Sequence, residues 1–149
     1  MPRKSERERL AERDLKNYML KAKAAETIPL RIRQLEQSFT AIRSALTDST
    51  PVSGGTNKRE DALAMNIAAR DAFAAELAEV RAWLRAVDKA LEVLDGQERL
   101  IIDRCYIHNT RDWLERLKDE LHLEQSQIYY YRDLALYKFT IAYYGRRGE

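Results

Sequence analysis

Residues 117–139, LKDELHLEQSQIYYYRDLALYKF, decide the fold. Leu117, Leu121, Leu123 and Ile128 have the spacing that packs two helices across a tight turn, and Tyr131, Ala135 and Phe139 continue the inward face of the second helix. The short turn at His122–Gln125 separates a predicted helix at Asp112–Leu121 from a longer one at Ser126–Tyr143. Trp113, Leu114, Leu117 and Leu121 fall on one side of the first of these. Just upstream, Gln97–Ile107 carries Leu100, Ile101, Arg104 and Cys105 at helical spacing, and the polar run His108-Asn109-Thr110 breaks it. Helix, turn, helix, tight turn, longer helix is the grammar of a helix-turn-helix DNA reader.

The pattern outside this segment is helical as well, and no strand pattern occurs. Ala11, Leu15, Tyr18, Ala22 and Ala25 form one stripe, and Ile28, Ile32, Leu35, Phe39, Ile42 and Leu46 form another at heptad spacing. Pro29 disfavours α conformation at Ile28, so a break is expected at Thr27–Pro29, with Pro29 in the first turn of the next helix. Residues 47–57, TDSTPVSGGTN, read as a linker. Residues 58–94 then carry Phe73, Leu77, Val80, Leu84, Val87, Leu91 and Leu94 on one seam, which Asp95-Gly96 ends by its turn chemistry. At 1.5 Å per residue that helix is roughly 55 Å long and needs a partner. The partner is the Ile28–Leu46 stripe folded back as an antiparallel hairpin, a second copy of the chain, or both in a four-helix bundle. The expected fold is therefore all-α. A helical hairpin or coiled-coil oligomerisation arm spans 1–94 and a helix-turn-helix domain spans 95–149. Phe73, Leu77, Val80, Leu84, Val87 and Leu91 carry the homodimer seam; Trp83 beside it is either a dimer anchor or simply a partly exposed helix tryptophan.

Composition excludes several classes. In 149 residues, 34% are charged, 45% are hydrophobic, and there are only 5 Gly and 3 Pro, which excludes a chain disordered throughout, a collagen-like repeat and a disulfide scaffold. The single Cys105 cannot form an internal bridge and suits a reducing cytosol. No run of apolar residues is long enough for an ordinary membrane span, and MPRKSERERLAERD does not read as a secretory signal, so a cytoplasmic protein is expected. Residues 1–49 hold 11 basic and 7 acidic side chains, whereas residues 95–149 hold 9 and 10. Any nucleic-acid binding must therefore come from local patches. The run Arg3, Lys4, Arg7, Arg9 and Arg13 is interleaved with Glu6, Glu8, Glu12 and Asp14 and reads as a solvated or frayed helix, with a nucleic-acid arm as the alternative.

With Ile128 buried, Gln125, Ser126, Tyr129 and Tyr130 project from the first turns of the last helix, the part that a recognition helix presents to the major groove. Gln pairs in bidentate fashion with adenine and Ser bonds either kind of base edge. Arg132, Arg111 and Arg99 are candidates for phosphate anchoring. An exposed Gln or Ser that is merely solvated, and a Tyr cluster that is merely packing, are the plain alternatives. His108, His122 and Cys105 do not make a tetrahedral metal site. Asp119 and Glu120 are adjacent and diverge on a helix, which argues against an acid–base pair. No phosphate loop, nucleophile elbow or zinc motif is present, so no catalytic residue, cofactor or metal is expected.

The run LDGQERLIIDRCYIHN at 94–109 resembles the opening of the fourth conserved region of bacterial sigma factors, and residues 117–139 resemble that region's helix-turn-helix. Leu121, Ile128, Ala135, Leu136 and Phe139 fall at matching positions. The resemblance extends to the sigma-like late transcriptional regulators of Gram-positive phages, the ArpU and RinA types. Those share an N-terminal helix like LKNYMLKAKAAETIPLRIRQLEQ, a linker like TPVSGGTNKRED, a long helix and a turn region marked here by Tyr106, Ile107 and Trp113. It implies a phage or prophage regulator that binds double-stranded DNA near late promoters and acts with host RNA polymerase. It implies the same four base-reading positions. His122 stands where the family usually has Gly, Glu124 where Ser caps the recognition helix, and Lys118 where a small Ala packs. The alternative is a non-enzymatic structural or packaging adaptor with a vestigial helix-turn-helix.

Overall fold

Ser5 opens the first helix. Its hydroxyl accepts from the Glu8 amide at 3.2 Å and the Glu8 carboxylate accepts from the Ser5 amide at 2.9 Å, a reciprocal capping box. The helix that follows, α1, spans Glu6–Lys16, and α2 spans Tyr18–Asp48. The computed structural model describes residues 3–48 and 55–145. Among them every regular element is helical: α3 at Gly55–Leu91, α4 at Gly96–Ile102, a π-helical turn at Asp103–Ile107, α5 at Trp113–Leu121 and α6 at Gln125–Tyr144. The protein is all-α.

Three boundaries differ from the sequence reading. The break expected at Thr27–Pro29 is absent, because α2 passes through Pro29. The interruption falls instead at Asn17, whose amide donates to the carbonyls of Arg13 at 3.1 Å and Asp14 at 3.2 Å. An interior proline costs about 3 kcal/mol; burial of Ile28, 5% exposed, beside it offsets part of that cost. The linker also shortens: residues 47–48 and 55–57 are helical, and 49–54 lie outside the described residues. Finally, Asp95 does not end the long helix. That helix stops at Leu91, where the Glu92, Val93 and Leu94 amides bond three residues back. Asp95 caps α4 instead, accepting from the Glu98 amide at 2.8 Å, and Gly96 is the first residue of α4.

Residues up to Lys21 and from Trp83 onward form one compact unit, and Ala22–Ala82 the other. The first unit has two apolar clusters joined by α6. Ile101 of α4, Leu117 of α5 and Ile128 of α6 are fully buried together, with Leu100, Trp113, Leu114, Leu121, Leu123 and Tyr131 packed around them. The second cluster joins Ala11 and Leu15 of α1, Val87, Ala90 and Leu91 of α3, Ile102, Cys105 and Tyr106, and Ala135, Leu136 and Phe139 of α6. The expected solvated helix at the N-terminus is thus docked against the C-terminal helices. Arg7 Nη1 donates to the Tyr144 carbonyl at 3.3 Å, Tyr144 Oη donates to Asp14, and Tyr106 Oη donates to Glu12 at 2.8 Å. The apolar gain comes from one side of α1 alone, which is why its charged face did not announce the docking.

The second unit is an antiparallel pairing of α2 and α3, as the stripes predict. Asn66 Nδ2 donates to the Leu35 carbonyl at 2.8 Å, Arg59 Nη1 donates to the Ala45 carbonyl at 3.3 Å, and the Arg70 guanidinium lies 4.8 Å over the Phe39 ring. Ile28, Leu77 and Val80 are its buried apolar residues among those described. The heptad seam of α3 runs further than its apolar residues show: Leu63, Asn66, Arg70 and Phe73 continue the same spacing, with two polar residues in it.

Candidate nucleic-acid interface

The turn between α5 and α6 is built around His122. It ends α5 in the left-handed region, φ 55° and ψ 42°, and is the one non-glycine residue with positive φ among the described residues. That region costs a side chain-bearing residue roughly 1–2 kcal/mol, so the turn is held by packing on both sides, through Leu121 and Leu123. Glu124 then precedes α6, its amide donating to Gln127 Oε1 at 2.9 Å. Together with buried Ile128, this holds the first turns of α6 against α5.

The four expected base-reading residues divide into two kinds. Gln125, Ser126 and Tyr130 are exposed, Tyr130 at 61%. Tyr129 is half-buried and works as packing: its ring lies 6.4 Å from that of Trp113, and the Arg132 guanidinium covers it at 4.7 Å. Tyr130 meets Tyr131 edge-on at 5.4 Å. The three expected phosphate anchors also divide. Arg99 on α4 and Arg111 before α5 are exposed. Arg132 is half-buried, its Nε and Nη2 both donating to Asp133 at 3.1 Å. Burial disfavours its charge, but the Tyr106, Asp133 and Cys105 surroundings outweigh that and hold it above the usual arginine range.

Acidic groups also lie in and next to α5 and at the start of α6. Glu120, exposed, pairs with Arg104 at 3.4 Å. Glu124 is exposed at the start of α6. Asp112, just before α5, accepts from Arg116 Nε at 2.8 Å, and that hydrogen bond holds its carboxyl below the usual range.

The expected oligomerisation residues lie in both units. Phe73 is half-buried, and Leu77 and Val80 are buried, in the α2–α3 pairing. Val87 and Leu91 are buried in the chain's own core with α1 and α6, and Leu84 is half-buried. Trp83 packs on Tyr18 at 6.3 Å, with Lys21 5.9 Å over its ring.

Sequence reasoning missed one assembly. A cleft of about 600 Å³ is lined by Glu12 and Lys16 of α1, Cys105, Tyr106 and Ile107 of the π turn, Asn109, Trp113 and Arg132. Burial pushes the Cys105 thiol up, against the lowering effect of Arg132. These residues come from four separated stretches; Tyr106, Ile107 and Trp113 stood out in the sequence as a turn marker and Arg132 as a phosphate anchor, but nothing local placed them together with Glu12 and Lys16. Among the described residues, no helix is long and apolar enough to cross a membrane. No protein family, curated protein or solved structure matches the chain.

Proposed function

We propose that this chain is a sequence-specific DNA-binding transcription regulator of the sigma-like phage type, without enzymatic activity. It lays the first turns of α6 in the major groove. The observation that carries the reading is the exposure of Gln125, Ser126 and Tyr130 on a helix start held by Ile101, Leu117 and Ile128. Gln125 and Ser126 read base edges, Tyr130 contacts a thymine methyl or a phosphate, and Arg99 and Arg111 supply phosphate contacts. Tyr129 and Arg132 support the helix from the side. The α2–α3 pairing is the arm through which two copies associate. In the cytoplasm of a bacterial host, the protein binds near a late promoter and acts with RNA polymerase.

Fluorescence anisotropy against duplex from the gene's own upstream region and against random duplex, at two salt concentrations, tests this. With 9 basic against 10 acidic side chains in residues 95–149, the salt slope should be shallow, reflecting roughly three to five phosphates at about 0.9 each. Gln125→Ala should cost specific binding about 1–3 kcal/mol and leave random-duplex binding unchanged.

One observation favours a second reading. The exposed Glu124 carboxylate stands at the start of α6, where a DNA phosphate is expected. A structural or packaging adaptor with a vestigial helix-turn-helix keeps such a residue at no cost. Wild type with no preference for either duplex, and Gln125→Ala indistinguishable from it, would select the adaptor.

A further inference from the structure

The cleft between α1, the π turn and α6 belongs to neither the DNA-reading surface nor the arm. Its walls are of two kinds. Trp113 and Ile107, both half-buried, supply apolar surface, while Tyr106 backs the wall from the core, only 4% exposed. Lys16 and Arg132 supply two cations and Glu12 one anion. Glu12 is already satisfied: Tyr106 Oη donates to it at 2.8 Å and Lys4 Nζ lies at 2.5 Å. Arg132 is likewise paired, with Asp133, so Lys16 leaves one positive charge in excess.

The backbone beside the cleft is irregular. The chain widens from α to π geometry over Asp103–Ile107, and the His108 amide reaches back five residues to the Asp103 carbonyl at 2.7 Å. Asn109 Nδ2 donates to the Cys105 carbonyl at 2.7 Å, closing the turn. Single π turns inside α-helices occur frequently at functional sites. Here the π turn brings Cys105, Tyr106 and Ile107 to the cleft wall together.

We propose that this cleft binds a small monocarboxylate with an aromatic body. A volume of about 600 Å³ falls within the usual range for a small-ligand site. The planar Arg132 fork, fixed by Asp133 and stacked on Tyr129, presents its remaining edge to a carboxylate. Lys16 completes the neutralisation, and Trp113 stacks on the ring of the ligand. A phosphate dianion fits less well, because the Glu12 carboxylate shares the lining and the net charge matches one negative charge, not two. None of the exposed residues at the start of α6 line the site, and Lys16 has no part in the DNA-reading proposal, although Arg132 also supports α6 from the side.

Trp113 in the cleft is one of 2 tryptophans, and Trp83 is the other. Intrinsic fluorescence, in wild type and in Trp83→Phe, should therefore report binding without DNA. The probes are benzoate, phenylacetate, 3-phenylpropionate and 4-methylbenzoate at up to about 1 mM, with inorganic phosphate as the contrasting anion. At least one carboxylate should give a saturable change, and phosphate none. Arg132→Gln should weaken binding at least about tenfold, the usual worth of a charged hydrogen bond. Lys16→Glu, at an exposed position where folding is not at risk, reverses the net lining charge and should abolish it. No saturable change with any of the four acids overturns the proposal. So does equal binding by Lys16→Glu, or preference for phosphate.

Discussion

Lys138 Nζ sits 2.9 Å from one carboxylate oxygen of Glu98 and 3.1 Å from the other, joining α6 to the first turn of α4 across 40 residues of sequence. Glu98 is 2% exposed and also accepts from the Asp95 amide at 3.1 Å as half of the α4 capping box. One carboxylate thus starts a helix and ties it to the helix it packs on. Removing one partner of such a pair leaves a buried charge uncompensated, which costs more than the pair contributes. Lys138→Met should therefore lower stability by about 2 kcal/mol, below the full buried-pair value because the lysine is partly exposed. The double variant Lys138→Met with Glu98→Gln should recover much of that loss, since Gln still serves a capping box. Urea melts of the single and double variants measure the coupling; additive losses would show that the orphaned charge is not the cause.

His122 occupies a backbone position made for glycine. Replacing it removes the contact between Cβ and the carbonyl that makes the left-handed region costly. His122→Gly should raise stability by up to about 1 kcal/mol, the strain relief being partly offset by the greater freedom of glycine in the unfolded chain. The denaturation midpoint should rise with an unchanged slope. A lower midpoint would mean that the imidazole makes a contact worth more than the strain.

The pH dependence follows from two tyrosine–carboxylate bonds. For Glu12, burial pushes its pKa up, but the Lys4 and Tyr106 hydrogen bonds and the Lys4 and Lys16 charges outweigh that and hold it below the usual glutamate value. A depressed carboxylate contributes stability that is full above its unfolded pKa and is lost as pH falls through the folded one. The loss should therefore extend below about pH 4. Tyr18 shifts the opposite way: burial first, then its 2.6 Å hydrogen bond to Asp88, push it up to about 12. Its contribution is full below the ordinary tyrosine range near pH 10 and is lost as pH rises towards about 12. Thermal melts across pH should show both edges. Tyr106→Phe should move the acid edge upward, and Tyr18→Phe should flatten the alkaline one.

What the sequence disclosed was local and periodic. Leu117, Leu121, Leu123 and Ile128 pack across their turn as their spacing says, because few conformations bury them all at once. The α3 seam was legible from Phe73 to Leu91 for the same reason. It was not legible at Asn66 and Arg70, because apolarity is the signal and these two share the seam without it. Pro29 misled in the opposite direction: a local preference gave way to the packing of a long helix. The cleft was least visible of all. Tyr106 and Glu12 are 94 residues apart, and no local pattern states which face of α1 meets the π turn.

Asn66 offers a test of what the arm is for. It is 8% exposed in the α2–α3 pairing; its amide nitrogen donates to the Leu35 carbonyl, and its Oδ1 has no hydrogen-bond partner. A buried polar group of this kind lowers stability, and in helical seams a single Asn holds register and copy number against alternatives. Asn66→Leu should therefore raise the melting free energy by about 1 kcal/mol through removal of the unsatisfied oxygen. If the arm also mates two copies, the wild type should sediment as one dimeric species at micromolar concentration. The variant should spread into several species as its register relaxes. A wild type that stays monomeric throughout that range would confine Asn66 to the fold of the hairpin and remove the arm from the association model. A variant as homogeneous as a dimeric wild type would place the specificity instead in the Arg70–Phe39 contact, which Arg70→Leu would then disturb.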